Sequence, residues 1–237
     1  WDSDVDIEHN TIMSSYERGI YVQDASPDIN NNVIRNNIKE GVYIVRLDTL
    51  KTLSMSNNVF TDNQRAVYSV LSSETADISL IGNVSSGSDV NGFGRNGFGL
   101  SGSISGENTY TGQKDFPFII TESDLTINEA ASLTISSGTT IKFDGYWAGI
   151  EVYGKLDAIG TEADSIAFTS LADDAHGGDS NGDGTATLPA PNQWSTVQYQ
   201  DGSSGSLKYC FIGYGGGEGS ANIHIWDSDV GIEYKKV

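Results

Sequence analysis

One phrase recurs three times in the first third of this chain. It reads Val5-Asp6-Ile7-Glu8-His9-Asn10-Thr11-Ile12, then Asp28-Ile29-Asn30-Asn31-Asn32-Val33-Ile34, then Ser54-Met55-Ser56-Asn57-Asn58-Val59-Phe60. Ile7 and Ile29 are 22 residues apart, and Ile29 and Met55 are 26 apart. Each copy leads into a second apolar run: Gly19-Ile20-Tyr21-Val22, Gly41-Val42-Tyr43-Ile44 and Ala66-Val67-Tyr68-Ser69. Ile78-Ser79-Leu80-Ile81-Gly82-Asn83-Val84 is a degenerate fourth copy. A fixed period in the low-to-mid twenties limits the fold sharply. It is the length of one coil of a three-sided parallel solenoid, roughly three strands of 3 to 5 residues with their turns. Successive coils stack about 4.8 Å apart through parallel backbone hydrogen bonds.

Stacking makes equivalent positions neighbours, so the inward ones must be apolar. The expected columns are Ile7, Ile29, Met55 and Leu80; Ile12, Ile34 and Phe60; and Ile20, Val42 and Val67. Asn10, Asn32, Asn58 and Asn83 share one phase. Asparagine tolerates left-handed backbone at a sharp bend, and its amide hydrogen-bonds to an identical amide one rung away. The expectation is an asparagine ladder; the alternative is a row of ordinary surface turn residues. No stretch shows a convincing 3.6-residue apolar period. The 28 glycines, set among short runs of Ile, Val, Tyr and Phe, mark many turns between short strands. The expected class is all-β, a three-sided parallel β-solenoid (parallel β-helix) of about nine coils.

The phrases IEHNTI…GIYV, INNNVIRNN…GVYI and MSNNVFTDN…AVYS resemble the right-handed parallel β-helix repeat family of the pectate-lyase-like superfamily. The resemblance covers residues 1 to about 85. It implies a right-handed solenoid and reports architecture rather than activity. Residues 85–106 break the rhythm, being rich in Gly and Ser yet carrying Phe93, Phe98 and Leu100. A free linker lacks such aromatics, so a loop or irregular coil partly packed on the solenoid is expected there. Strand-like runs resume at 118–120, 125–127, 133–135 and 141–143, and continue to 207–212. The stretch SLTISSGTTIKFDGYWAGIEVYGKLDAIGTEADSIAFTS resembles the opening coils of many secreted bacterial β-helix proteins, which would start the helix near residue 107. The expected division is residues 1–84 as coils with the ladder, 85–106 as the irregular segment, and 107–237 as a second β-helix segment. The last carries an Asp/Gly-rich loop at 172–192 and a repeat-like restart at 226.

Thirteen Lys and Arg face 32 Asp and Glu, a formal net charge of −19. That argues against nucleic acid, whose phosphates need cationic partners, and against electrostatic binding to an anionic membrane. It favours solubility and cation binding. No apolar run is long enough to cross a bilayer, and no basic segment followed by an apolar one opens the chain, so any secretion signal is expected outside it. Cys210 is the only cysteine, which rules out an internal disulfide and suits a small buried hydrophobe.

Asp179-Ser180-Asn181-Gly182-Asp183-Gly184-Thr185 has the D-x-N-x-D-G-x spacing of a calcium loop. Alternating oxygens converge on one hard cation, Gly184 allows the sharp turn, and the Thr185 carbonyl supplies a further ligand. The stretch resembles the first half of EF-hand and dockerin loops. It departs from them at the twelfth position, where Ala190 stands in place of a bidentate Glu. Asp173 and Asp174 are the candidates to replace that glutamate. The expected cofactor is structural Ca²⁺, pinning the loop to the wall; the alternative is a solvated acidic loop without metal. His9, His176 and His224 are too scattered for a zinc site by spacing. Enzyme chemistry of the lyase or hydrolase type needs an acid/base pair, or an arginine beside calcium, in a groove. Arg35, Arg46 and Arg65 are present, but no spacing brings them to the aspartates. Tyr146, Trp147, Trp194 and Tyr214 are read as exposed aromatics, suited to stacking on sugars or to covering coil edges.

Finally, Trp1-Asp2-Ser3-Asp4-Val5-Asp6-Ile7-Glu8 returns as Trp226-Asp227-Ser228-Asp229-Val230-Gly231-Ile232-Glu233, 225 residues later, with one difference. ANIHIWDSDVGIEY also aligns with RGIYVQDASPDINN, so Ile223 falls on Ile20, Asp227 on Asp24 and Ile232 on Ile29. The chain therefore reads as one period of something longer. Neither end shows an amphipathic helix that would cover an open coil. The expected role is a non-enzymatic structural module of an extracellular or cell-surface fibre, its partners being other copies end to end. The alternative is a secreted domain that binds or cleaves polysaccharide.

Overall fold

The computed structural model describes residues 5–48, 51–87 and 95–233. Trp1–Asp4 of the repeated octapeptide and Phe93 lie outside the described residues. The strands build three parallel sheets. The first face holds nine strands in chain order, from Asp6–Glu8 through Asp28–Asn30, Leu53–Ser56, Ile78–Ile81, Glu107–Thr111, Ser132–Ile135, Lys155–Ile159 and Ser204–Lys208 to Asp229–Glu233. The second face holds four: Thr11–Met13, Val33–Arg35, Val59–Thr61 and Val84–Ser86. A third sheet begins with Ile20–Gln23 and Glu40–Val45 and widens to three ten-residue strands, Arg65–Glu74, Arg95–Ile104 and Phe118–Ile127. The last of these splits the sheet. Its first half pairs with Thr140–Asp144, followed by Ile166–Ser170 and Cys210–Ile212. Its second half pairs with Ile150–Val152, followed by Val197–Tyr199 and Ile223–Ile225. Every coil thus keeps three sides, although the second face ends at Ser86.

The register follows the sequence columns. Ile7 pairs with Ile29, Ile29 with Met55, and Met55 with Leu80. Ile12, Ile34 and Phe60 pair in turn, as do Ile20, Val42 and Val67. Ile29, Ile34, Val42, Met55, Phe60 and Val67 are all fully buried in one lumen. Further along, Phe118 stacks on Tyr110, and Phe143 on Trp194 at 4.1 Å.

The asparagine ladder forms. Asn32 Oδ1 accepts from the backbone N and Nδ2 of Asn10, Asn58 Oδ1 from those of Asn32, and Asn83 Oδ1 from those of Asn58, at 2.9–3.2 Å. Gln113 ends the row: its Oε1 accepts from Asn83 N and its Nε2 donates to Asn83 O. A second row at the next bend links Asn37 to Asn63, and Ser15 N donates to Asn37 Oδ1. The left-handed residue sits one position before each ladder Asn, at His9, Asn31, Asn57 and Gly82. The side-chain ladder and the backbone bend are therefore carried by neighbouring residues, not by one.

The irregular segment expected at 85–106 is corrected for its second part. Arg95–Ile104 is a ten-residue rung, flanked by Arg65–Glu74 and Phe118–Ile127. Phe98, Leu100 and Ile104 point into the lumen and are fully buried. The positions between them are Gly or Ser because the neighbouring rung leaves no room. A Cβ on Gly99 would meet the Tyr68 ring at 3.1 Å, and one on Gly102 would sit 2.0 Å from Leu71 O. The first and third sheets run through this region without a break, so the helix does not start at residue 107, and the expected divisions at 84 and 106 are not interruptions of the solenoid.

Candidate functional site

Along the first face, Ser132, Lys155, Ser204 and Asp229 occupy consecutive rungs. The spacings are 23, 49 and 25 residues, so the middle coil holds about one coil's worth of extra chain. That excess is the acidic segment between Ile166–Ser170 and Val197–Tyr199, and it lies over the outer wall.

Four wall groups hold it down. Lys142, outward from Thr140–Asp144, is fully buried beneath it and donates from Nζ to Gly178 O at 2.7 Å. Gly177 makes room, since a Cβ there would meet Lys142 Cε at 2.8 Å. Asn96 donates from its backbone N to Ser180 O and from Nδ2 to Asp179 O. Thr169 Oγ1 donates to Asp173 Oδ2 at 2.6 Å. The His176 ring lies flat on Phe211 at 4.1 Å, with Nδ1 paired to the same Asp173 oxygen at 2.8 Å. At the far end Gln193 Oε1 accepts from Ser170 Oγ and Ala190 N. Trp194 then enters the lumen and donates from Nε1 to Gly213 O.

The six residues expected at a metal do not all converge. Asp173 is turned into the wall, 2% exposed, with Oδ1 accepting from Ala175 N and Oδ2 occupied as described. Thr185 is exposed at the outer turn. Asp179 organises the turn, its two oxygens accepting from Asp183 N at 3.1 Å and Gly184 N at 3.0 Å. Asn181 Nδ2 and Thr187 Oγ1 both donate to Asp183 Oδ2. That leaves Asp174 Oδ1, Asn181 Oδ1 and Asp183 Oδ1, three buried oxygens without a hydrogen-bond partner. Among the described residues, no three His, Cys, Asp or Glu side chains gather as a metal-holding group. The donors that fit a hard cation are thus two carboxylates and one amide oxygen, with Asp179 beside them.

The electrostatics are those of an under-neutralised acidic pocket. Burial pulls the Lys142 ammonium down to about 8, opposed by Asp173, Asp174 and Asp179. Burial pushes the Asp174 carboxyl up, and Asp179 and Asp183 add to this while Lys142 counters it. One ammonium faces four carboxylates, and Lys142 was not visible in the loop's own sequence. A cleft of about 240 Å³ opens beside Asp179, lined by Ser85, Asn96, Asp115 and Gly182.

The arginines considered for catalysis are elsewhere. Arg46 clamps Asp24 with two bonds of 2.6 and 2.8 Å, and Arg65 lies 4.4 Å over the Tyr68 ring. Arg35 is on the second face, opposite Met13 and Thr61. Tyr21, Tyr43 and Tyr68 form an outward aromatic row 5.8–5.9 Å apart, with Arg18 over Tyr43. Of the four aromatics expected on the surface, Trp194 is fully buried and Tyr214 half-buried. Tyr146 and Trp147 remain exposed, packed edge to face. A separate trough of about 490 Å³ crosses the first face, lined by Glu107, Tyr153, Lys155 and Asp157 among small residues.

No curated protein and no solved structure matches the chain. One family model does, described as "Right handed beta helix region", over residues 1–85. With parallel ladders running on from there to Glu233, the chain is a parallel β-helix whose first 85 residues carry the sequence signature of the right-handed family.

Proposed function

We propose that this β-helix is a non-catalytic structural module of an extracellular or cell-surface fibre, stacked end to end with copies of itself. One observation carries the reading. The repeated octapeptide supplies Asp6–Glu8 and Asp229–Glu233, the two outermost strands of the same nine-stranded face. The repetition therefore returns to the same face after eight rungs, about 38 Å along the axis, displaced by two residues along the strand, since Ile232 continues the row of Leu53 and Ile7 the row of Met55. Ile7, Ile12 and Ile20 at one edge, and Ile212, Ile223 and Val230 at the other, are only partly buried against the core. Such apolar edges favour a further coil. Negative-stain microscopy of purified protein should show rods in multiples of the module length; isolated short rods at all concentrations would remove the reading.

Structural Ca²⁺ in the 171–193 segment is the second part of the proposal. Asp174, Asn181 and Asp183 would supply the unpartnered oxygens, with Asp179 completing an oxygen shell. The cation's role is to tie the segment to the wall through Asn96 and Lys142. Calorimetry with CaCl₂ and thermal melts with EDTA test this, and an unchanged melting temperature with no binding heat refutes it. Glycan binding is favoured by one feature, the trough holding Tyr153, Glu107 and Asp157. Reducing-sugar and unsaturated-product assays on a polysaccharide panel address it, and turnover there would overturn the structural role.

A further inference from the structure

The two outermost strands of the first face compete for one seat. Asp6–Glu8 lies on Asp28–Asn30, with Ile7 opposite Ile29 and Glu8 opposite Asn30. Asn32 Nδ2 donates to Ile7 O at 2.6 Å, and Asn30 Nδ2 to Glu8 Oε1 at 3.3 Å. The sequence 226–233 offers the same groups, with Ile232 for Ile7 and Glu233 for Glu8. The single difference is Gly231 for Asp6. Asp6 sits directly opposite Asp28, and like charges across a pair are unfavourable. The incoming strand lacks that charge. It also keeps its own anchor, since Glu233 is paired to Lys208 at 2.8 Å.

We propose that a second copy of this chain inserts its residues 229–233 onto Asp28–Asn30, displacing the resident Asp6–Glu8, so that copies join by exchange of a rung. The inference rests on the end-to-end reading and specifies its joint. Ile223–Ile225 of the incoming copy continues the second half of Phe118–Ile127, whereas Ile20–Gln23 continues its first half, so the joint is carried by the first-face strand. Ile232, 52% exposed in the single chain, becomes the neighbour of a further coil. Backbone pairing of an added strand supplies the affinity, and alternate side chains fix the register.

The test is a disulfide in the full chain carrying Asn30→Cys and Glu233→Cys. Within one molecule these residues are seven rungs apart, about 34 Å, far beyond the ~7 Å that a disulfide spans. Cys210 does not interfere, because burial pushes its thiol up to about 12. Mild oxidation should give a ladder of linked dimers and trimers. Asn30→Cys with Lys208→Cys, displaced by one rung, should stay monomeric. Asn30→Cys with Glu8→Cys should close internally, which also reports that the edge coil is folded. Asp6→Gly removes the resident strand's handicap and should lower the linked fraction about two- to five-fold. Equal linking by the 233 and 208 partners, or no effect of Asp6→Gly, overturns the exchange. Rods in the microscope without the 30–233 link would overturn exchange alone, whereas single short rods without the link would overturn the stacking as well.

Discussion

Asn58→Ala should be the most damaging small substitution in the N-terminal coils. The Asn58 side chain is fully buried. Its Oδ1 accepts from Asn32 N at 3.0 Å and Asn32 Nδ2 at 3.1 Å. Its Nδ2 donates to Ile29 O at 2.7 Å and Asn83 Oδ1 at 2.9 Å. Alanine deletes all four bonds. Asn32 Nδ2 keeps Ile7 O and Asn30 O, and Asn83 Oδ1 keeps Asn58 N. The Asn32 backbone N–H loses the acceptor that Asn58 supplied. Four net bonds of about 1 kcal/mol each, plus about 1–3 kcal/mol for the orphaned donor, give about 5–7 kcal/mol. Asn10→Ala is the matched control. Asn10 is exposed, and its side chain only donates, to Glu8 O and to Asn32 Oδ1. Its loss should cost under about 1 kcal/mol. Urea unfolding followed by circular dichroism gives the overall difference. Hydrogen exchange on peptides covering 28–86 should show the loss confined to the coils beside Asn58, because coils touch only their neighbours. If the two variants fall within 1 kcal/mol of each other, the ladder is decoration and the argument from it fails.

Three further outcomes are expected. Gly102→Ala places a Cβ 2.0 Å from Leu71 O at φ 100°, whereas Gly145→Ala at φ 108° meets nothing within 4 Å; the first should lower the melting temperature far more than the second, and equal effects would refute the close approach. Trp194→Ala should cost about 3–5 kcal/mol, because it empties a fully buried site stacked on Phe143; a thermal melt close to wild type would contradict that packing. Lys142 is charged at a cost to the fold that is fully present below pH about 8 and vanishes above the ordinary lysine value of 10.5, where the unfolded chain also sheds the proton. Stability should therefore rise between those limits in wild type relative to Lys142→Met, by at most about 3 kcal/mol; parallel pH profiles for the two would refute the buried ammonium.

The solenoid was legible because stacking turns sequence spacing into contact. Once Ile7, Ile29, Met55 and Leu80 share a phase, their register follows with no further information. The same logic hid Arg95–Ile104. There Phe98, Leu100 and Ile104 hold the inward phase, but outward Gly99 yields to the Tyr68 ring, and Gly102, in the inward row of Leu71 and Leu125, yields to the Leu71 carbonyl. A strand with such glycines reads as a loop unless the rung beside it is known. Trp194 misled for the opposite reason, since it follows an acidic, Pro-containing stretch yet closes the coil from inside. The D-x-N-x-D-G turn was legible as a turn. What the spacing did not reveal is that Asp173 serves the wall, through Thr169 and His176, or that Lys142 rises beneath the turn from another coil.

That lysine bears on the calcium proposal. A single ammonium, its Nζ already bonded to Gly178 O, leaves the pocket of Asp173, Asp174, Asp179 and Asp183 net negative. Asp174 responds by holding its proton to higher pH than an ordinary carboxyl, chiefly from burial and then from Asp179. A cation that takes the Asp174 oxygen must first remove that proton, so binding and ionisation are linked. Calcium affinity should therefore fall on acidification at a higher pH than it would with an ordinary carboxyl at position 174, with proton release on binding measurable by calorimetry in buffers of different ionisation enthalpy. Asp174→Asn should abolish the proton release and weaken binding. If calcium binds without releasing protons, Asp174 is not its ligand and the site must be built from Asp179, Asn181 and Asp183.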